Sequence, residues 1–278
     1  MSFEQAPSEP PTREPRHVGE IKLHGPEAFK GMRKAGRLAA ETLDHIAPVV
    51  RPGLSTGELD EICHRFILDH GAIPAPLHYR GFPRAVCTSV NHVICHGIPG
   101  NKVLQNGDIV NIDVTVIVDG WHGDTSRMFY AGAPGRKAQR LCDVTYHAMM
   151  QGIAAAKPGA TTGDIGHAIQ SCAESERYSV VRDFCGHGIG QVFHDAPNIL
   201  HYGEPGTGVR LTTGMLFTVE PMINHGKCEV RMLNDGWTAV SKDRSLSAQF
   251  EHCIGITDDG VEIFTKSPAG LDQPPYGS

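Results

Sequence analysis

The sequence predicts an α+β protein built from two similar halves around a central sheet that is rich in antiparallel strands. Segments with apolar residues at helical spacing alternate with segments of strand-like alternation. Parts of the first half recur in the second half. Asp-Gly pairs, which favour tight hairpin turns, stand at 119–120, 235–236 and 259–260.

Four helices are predicted, near residues 27–49, 56–70, 136–156 and 162–176. Two of them begin with a capping box, in which a hydroxyl residue stands three positions before an acid: Ser55 with Glu58, and Thr161 with Asp164. Strands are predicted over most of 84–130 and 180–265.

One of these helix starts also matches the serine-hydrolase pattern G-x-S-x-G, at residues 53–57. The nucleophile of such an enzyme follows a strand. Here Arg51-Pro52-Gly53 predicts a turn instead, so Ser55 is interpreted as a helix cap.

The repeat pairs "RPGLSTGELDEICHRFI" (51–67) with "KPGATTGDIGHAIQSCA" (157–173), and "GDIVNID" (107–113) with "GMLFTVE" (214–220). The offsets are 158 − 52 = 106 and 220 − 113 = 107 residues. Two copies of this length are too few for a solenoid. We therefore expect two facing αβ halves, with ligands from both at a site between them.

Composition excludes several classes. No run approaches the ~18 apolar residues of a membrane-spanning helix, and the N-terminus is too polar for a signal peptide, so a cytoplasmic protein is expected. A net charge of −6 provides no excess of positive charge that would attract nucleic acid. Eight cysteines without a C-x-x-C pair indicate reduced thiols.

Both ends differ from the middle of the chain. Residues 1–26 contain several prolines among polar residues and are predicted to form a flexible extension. Residues 267–278, "SPAGLDQPPYGS", have little to bury and are interpreted as a C-terminal tail.

The hairpin "NIDVTVIVDGWHGDTSRMFY" (111–130) carries two acids where core residues are expected. If Asp119-Gly120 forms a two-residue turn, Thr115 pairs with Asp124, which places Asp113 and Asp124 on one face as diagonal neighbours. Two carboxylates this close repel unless a cation lies between them. On the hairpin alone, a solvent-facing polar side and a metal site remain equally good explanations.

The second half favours the metal site. Glu220 and Glu251 interrupt apolar strands, and burial of an unpaired ion is very costly. His187 stands between glycines in "CGHGIG", which lacks the G-x-G-x-x-G spacing of a phosphate-binding loop. Four carboxylates and one neutral imidazole carry four negative charges, which two divalent cations would balance. Oxygen-rich ligand sets suit Mn, Fe, Co or Zn.

Together, "CHGIP", "GDIVNIDVTV", "HGDTSRMF", "VRDFCGHGIGQVFHDAPNILHY", "FTVEPM", "DGWT" and "SLSAQFEH" resemble the type I methionine aminopeptidases. The resemblance runs from about residue 27 to 266. It implies the pita-bread fold, with a catalytic domain over 27–266 whose halves cover about 30–135 and 136–266.

The resemblance also implies roles for individual residues. The metal ligands would be Asp113, Asp124, His187, Glu220 and Glu251. Glu220 would also be the general base, and His96 and His194 would contact the scissile peptide. The methionine pocket would consist of Tyr79, Phe82, Cys87, Phe193 and Trp237, and a monovalent cation (Na or K) would bind at Asn91, Val93 and Ser247.

The implied function is removal of the initiator methionine from nascent chains whose second residue is small, by a monomer holding two divalent ions. The N-termini of nascent polypeptides are the expected partners, with the ribosome as a candidate partner of the extension. Two alternatives stand beside it. One is an Xaa-Pro peptidase, which usually carries a further N-terminal domain, and the other is a non-catalytic binding module, which would have lost metal ligands.

Overall fold

The computed structural model describes residues 19–276. Its helices are Pro26–Ile46 (α1), Thr56–Asp69 (α2), Arg136–Ala155 (α3) and Thr162–Ser175 (α4). The four predicted helices are confirmed, each end within three residues. Within this described part, no helix combines the length and apolar character that a bilayer crossing requires. Residues 1–18 of the predicted extension lie outside the described residues.

Both predicted capping boxes are present. The Ser55 hydroxyl accepts the N–H of Glu58 at 3.2 Å, and the Glu58 carboxylate accepts the N–H of Ser55 at 2.8 Å. Thr161 and Asp164 make the same pair of bonds at the start of α4. Each box satisfies amide groups that the first helical turn leaves without partners. Ser55 is therefore a helix cap, as the sequence predicted.

The strands of the described residues form one nine-stranded and two three-stranded sheets, and every registered pair is antiparallel. The strands are Ile73–Pro74 (β1), Cys87–Val90 (β2), Val93–Cys95 (β3), Asp108–Val118 (β4), Trp121–Ala131 (β5), Ser179–Val180 (β6), Gly186–Gly188 (β7), Asp195–Ile199 (β8), Leu216–Val219 (β9), Met222–Asn224 (β10), Val230–Met232 (β11), Ala239–Ser241 (β12), Ser247–Gln249 (β13), Glu251–Ile256 (β14) and Val261–Ile263 (β15). The large sheet has the order β1-β4-β5-β14-β9-β7-β8, with β2 beside β4 and β15 beside β14; the small ones are β13-β10-β6 and β11-β12-β3.

The long hairpin β4–β5 has the register that its turn predicted. Val118 pairs with Trp121, Thr115 with Asp124, and Asp113 with Ser126. Asp119 and Gly120 at the turn both have positive φ, as a type I′ turn requires. Asp113 and Asp124 consequently share one face of the sheet.

The prediction that strands fill most of 180–265 was wrong. This part of the chain contains strands of two to six residues separated by loops. Pro221 divides β9 from β10, because proline has no N–H to give to a ladder. The register also shifts between His187 and Gly188. These interruptions let short strands end at the same cavity.

Each half has its own hydrophobic core, in line with the internal repeat. In the first, α1 and α2 pack on β4 and β5. In the second, α3 and α4 pack beneath β9 and β14. Fully buried members of the first core include Leu43, Ile46, Leu59, Ile112 and Phe129; those of the second include Met149, Ile165, Ile169, Phe217 and Ile254.

The C-terminal segment 267–276 buries more than we expected of a tail. The ring of Tyr276 lies 4.9 Å from that of Phe129, and its hydroxyl donates to the carbonyl of Met128 at 2.9 Å. The carbonyl of Leu271 accepts from the buried guanidinium of Arg127 at 2.8 Å. This packing was not evident from the composition, because two apolar residues, Leu271 and Tyr276, make it within a stretch rich in proline and glycine.

Candidate active site

The hairpin β4–β5 carries the first two acids of the site, Asp113 and Asp124. Asp124 is buried, and its carboxylate accepts a hydrogen bond from Thr115 at 2.7 Å. Asp113 is partly buried on the same face, and Ser126 opposite it pairs in turn with Glu251 of β14. The central strands therefore carry three acids side by side.

His187 reaches the acids from the second half. Its Nδ1 donates to the carbonyl of Gly188 at 3.1 Å, because a carbonyl can only accept. That leaves the lone pair on Nε2, which lies 3.6 Å from Asp124 Oδ2 and 3.7 Å from Glu220 Oε1. An imidazole oriented in this way is arranged as a metal ligand.

The glycines on either side of His187 allow this strand to approach its neighbours closely. A Cβ at Gly186 would collide with the carbonyl of Thr218, and one at Gly188 with that of Ala196. The close approach around His187 is therefore one of backbone to backbone. It holds β7 directly beside β8 and β9.

The raised pKa values of the clustered acids indicate that they need nearby cations to stay ionised. Burial raises the pKa of Asp113 to about 7. Burial and repulsion by Asp113 raise the pKa of Asp124 well above its usual range. Burial, with repulsion from Asp124 and Glu220, does the same to the pKa of Glu251. Such acids ionise readily only beside positive charge.

The donor set fits divalent metal ions. Asp124, His187 and Glu251 each offer a ligand atom within 4.8 Å of the others, and all three are buried. Asp113 and Glu220 line the same cavity. Carboxylates with one imidazole suit hard or borderline divalent ions. The structure thus brings together all five residues that the sequence singled out as ligands.

The ligands lie at one side of a cavity of about 370 Å³. The predicted pocket and peptide-contacting residues line it as well: Tyr79, Phe82, Cys87, His96, Phe193, His194 and Trp237. Aromatic rings form much of the wall, with Phe82 edge-on to Trp237 at 5.2 Å and Tyr79 against Phe193 at 4.9 Å. The cavity can take one apolar side chain beside the acids.

The two candidate catalytic histidines reach the cavity from opposite halves. His194 has its ring 4.2 Å from that of His187, and its Nδ1 lies 3.0 Å from the hydroxyl of Tyr79. His96, with a φ of 55°, stands edge-on to Phe184 at 5.5 Å. Both imidazoles therefore line the same cavity as the acids.

The residues predicted to hold a monovalent cation, Asn91, Val93 and Ser247, are not among those that line the cavity. Asn91 and Ser247 are adjacent, since the carbonyl of Asn91 accepts the N–H of Ser247 at 2.8 Å. The hydroxyl of Ser247 is buried and lacks a hydrogen-bond partner among the described residues. Val93 begins β3 beside them.

Sequence reasoning missed several residues of the site. Phe184 and Met222 line the cavity, and Thr218 bonds to Glu220. Phe184 and Met222 belong to "VRDFCGHGIG" and "FTVEPM", so closeness to a ligand in the sequence was a usable signal. Thr218 and Glu220 are two positions apart in the sequence, which is the spacing of neighbouring side chains on one face of a strand.

Residues 30–258 match metallopeptidase family M24. The chain belongs to this family. Its M24 relatives include the Methionine aminopeptidase of Rickettsia prowazekii, 62% identical over 92% of this chain and 99% of the relative. Another is the Methionine aminopeptidase of Escherichia coli K12, 54% identical over 88% of this chain and 94% of the relative. The prediction of a metallopeptidase is confirmed.

Solved structures give the same assignment to the fold. The crystal structure of methionine aminopeptidase from Rickettsia prowazekii has a TM-score of 0.88 and covers 88% of this chain and 99% of its own. The prolidase of Pyrococcus horikoshii, at 19% identity and a TM-score of 0.70, shares the fold over 88% of this chain and 63% of its own. The predicted pita-bread fold of M24 proteins is confirmed.

Proposed function

We propose that this protein is a methionine aminopeptidase that removes the initiator methionine from nascent chains whose second residue is small. The observation that carries the proposal is the convergence of five metal-ligand side chains at one side of an aromatic cavity. Relatives 62% and 54% identical are named Methionine aminopeptidase, which supports the same activity. Histidines from both halves complete the site.

Two divalent ions, of Co, Mn, Fe or Zn, would be held by Asp113, Asp124, His187, Glu220 and Glu251. Bound there, such ions supply Lewis acidity and lower the pKa of water. When ionised, four carboxylates with one neutral imidazole carry four negative charges, which supports two ions rather than one. The resemblance further assigns a monovalent cation, Na or K, to Asn91, Val93 and Ser247.

Glu220 would take the proton of the attacking water as general base, since its carboxylate lines the cavity. His96 and His194 would donate hydrogen bonds to the substrate carbonyl as it gains negative charge. Donors that are already in place stabilise that charge without rearrangement. Tyr79, bonded to His194 Nδ1, would hold the ring in the orientation required.

The rest of the cavity would select the substrate. Phe82, Phe193 and Trp237 offer aromatic faces and edges to a thioether, which packs well on such rings. Cys87 is buried in the same wall. An apolar lining also excludes water from the cleaved bond, which strengthens each electrostatic contact there.

The biological setting follows from this activity. The catalytic domain would be residues 27–266, with the N-terminal extension as a candidate contact for the ribosome. The N-termini of nascent polypeptides would be the substrates, and the protein would act in the cytoplasm. A monomer suffices, because both halves of the site come from one chain.

The test is release of free methionine from a Met-Gly-Met peptide by chelator-stripped protein, before and after addition of Mn, Fe, Co or Zn. We expect metal to restore release, and Asp113→Asn to lower the rate by at least about 100-fold because a ligand is lost. Asp119→Asn is the matched control, since this acid lies exposed at the hairpin turn.

An Xaa-Pro peptide is assayed in parallel. Cleavage of that peptide alone would overturn the proposal in favour of an Xaa-Pro peptidase. Failure to cleave either peptide with any of the metals would instead support a non-catalytic binding module.

A further inference from the structure

Thr218 joins two of the candidate metal ligands through one hydroxyl group. It lies in β9 and is fully buried. Its Oγ1 accepts the backbone N–H of His187 at 3.0 Å and donates to Glu220 Oε1 at 2.7 Å. The hydroxyl thereby fixes the strand that carries His187 and the carboxylate of Glu220 relative to one another.

His201 holds the backbone of the same glutamate. It follows β8 and is fully buried, and its Nε2 accepts the N–H of Glu220 at 3.1 Å. Glu220 stands in the gap between β9 and β10, outside both strands. An imidazole acceptor replaces the strand partner that the amide would otherwise have.

The hydrogen bond to Glu220 determines which ring nitrogen of His201 carries the proton. Because Nε2 of His201 accepts, the ring proton must be on Nδ1. That atom is buried and has no hydrogen-bond partner among the described residues. A buried polar group without a partner is destabilising. Nε2 of His201 is therefore the ring nitrogen that faces Glu220 and accepts its N–H.

The groups around the Glu220 carboxylate are suited to a base. Gln249 Nε2 donates to Oε2 at 3.3 Å, while Thr218 donates to Oε1. Both donors are neutral. They fix the orientation of the carboxylate without adding a charge of their own.

We propose that Thr218 and His201 are positioning residues that set the carboxylate and the backbone of Glu220 for metal binding and proton transfer. This inference rests on the proposed aminopeptidase function. It goes beyond that function by assigning the geometry of the base to two residues that touch neither substrate nor metal.

The first test compares Thr218→Val with Thr218→Ser. Valine keeps the shape of threonine and lacks the hydroxyl, whereas serine keeps the hydroxyl. We expect Thr218→Val to lower kcat about 10- to 100-fold with KM little changed. Its metal affinity, measured by titration calorimetry, should fall by about 10-fold. Thr218→Ser should stay within about 3-fold of wild type in both measurements.

The second test uses His201→Gln, whose amide oxygen offers an acceptor in place of Nε2, and His201→Leu, which offers none. We expect kcat to fall more in His201→Leu than in His201→Gln, with KM again little changed. Thr42→Val is the control for loss of a buried hydroxyl, since Thr42 bonds to the carbonyl of Leu38 within α1. Thermal melting verifies that each variant folds.

The outcomes separate the two proposals. Wild-type protein that releases no methionine with any metal contradicts the proposed function. Active wild type together with Thr218→Val of unchanged kcat and metal affinity overturns the positioning role, as does Thr218→Ser that is as impaired as Thr218→Val. If Thr218→Val does not fold, the comparison of His201→Gln with His201→Leu tests the inference instead. Equal kcat in these two variants overturns it.

Discussion

Asp113 differs from a surface aspartate because burial among other acids raises its pKa to about 7. A group whose folded-state pKa is raised keeps its proton up to that pH, so near pH 6 the stripped protein holds Asp113 mainly as the acid. Divalent ions bind the ionised form and therefore displace the proton. Below about pH 7, metal and proton compete at this residue.

We expect metal binding to the stripped protein to release more protons per ion at pH 6 than at pH 8.5, and metal affinity to rise between these values. Titration calorimetry in two buffers of different ionisation enthalpy measures the protons released. Asp113→Asn is the reference, because it removes this carboxyl and leaves Asp124 and Glu251, whose pKa values are also raised, in place. Equal release from wild type at both pH values would contradict the assignment of Asp113 as a ligand.

At the scale of elements, the approach of α1 to β5 sets the position of the ligand-bearing hairpin. Gly123 precedes Asp124, and a Cβ there would collide with the backbone of Ala35 in α1. Gly36 meets the backbone of Phe264 in a similarly close contact. The helix therefore lies directly on the strand that carries Asp124.

Gly123→Ala should destabilise the fold by about 3 kcal/mol, because backbone atoms must move to admit the methyl group. Gly100→Ala is the matched control. A Cβ there meets nothing within 4 Å, so a change of less than about 0.5 kcal/mol is expected. Urea unfolding followed by circular dichroism gives both values, and similar midpoints for the two variants would show that α1 has room to shift.

Elements with local signals were predictable from the sequence. The Asp119-Gly120 turn fixed the register of β4 and β5 by the period of two, and capping residues located the starts of α2 and α4. The long-range bonds that position Glu220 were not predictable in this way. Its bond to His201 spans 19 residues, and that of Thr218 to His187 spans 31. Such contacts depend on how short strands stack, which no local pattern encodes.

At the scale of the whole molecule, the C-terminal segment 267–276 packs against the first half of the fold. The buried guanidinium of Arg127 forms an ion pair with Asp44 at 2.6 Å and a hydrogen bond to Leu271. Ser267 donates to the same carboxylate of Asp44. Segment 267–276 therefore covers a buried charge on the face of β5 opposite Asp124.

Deletion of residues 267–278 should lower the free energy of unfolding by about 3–5 kcal/mol, since an aromatic anchor is lost and Arg127 loses an acceptor. Deletion of residues 277–278 alone is the control and leaves Tyr276 in place. Denaturant unfolding measures both, and equal stability of the two shortened chains would show that the segment contributes nothing to the fold.

The candidate ligands lie far apart along the chain, from Asp113 to Glu251, a separation of 251 − 113 = 138 residues. An unfolded chain holds these five side chains apart and has no means of gathering them around one ion. Ion binding would therefore favour the folded state, and each ion bound would add about 2.7 kcal/mol at an ion concentration one hundred times its Kd. The metal supply of the cell would then govern how long each copy of the enzyme escapes proteolysis, as well as how fast it works.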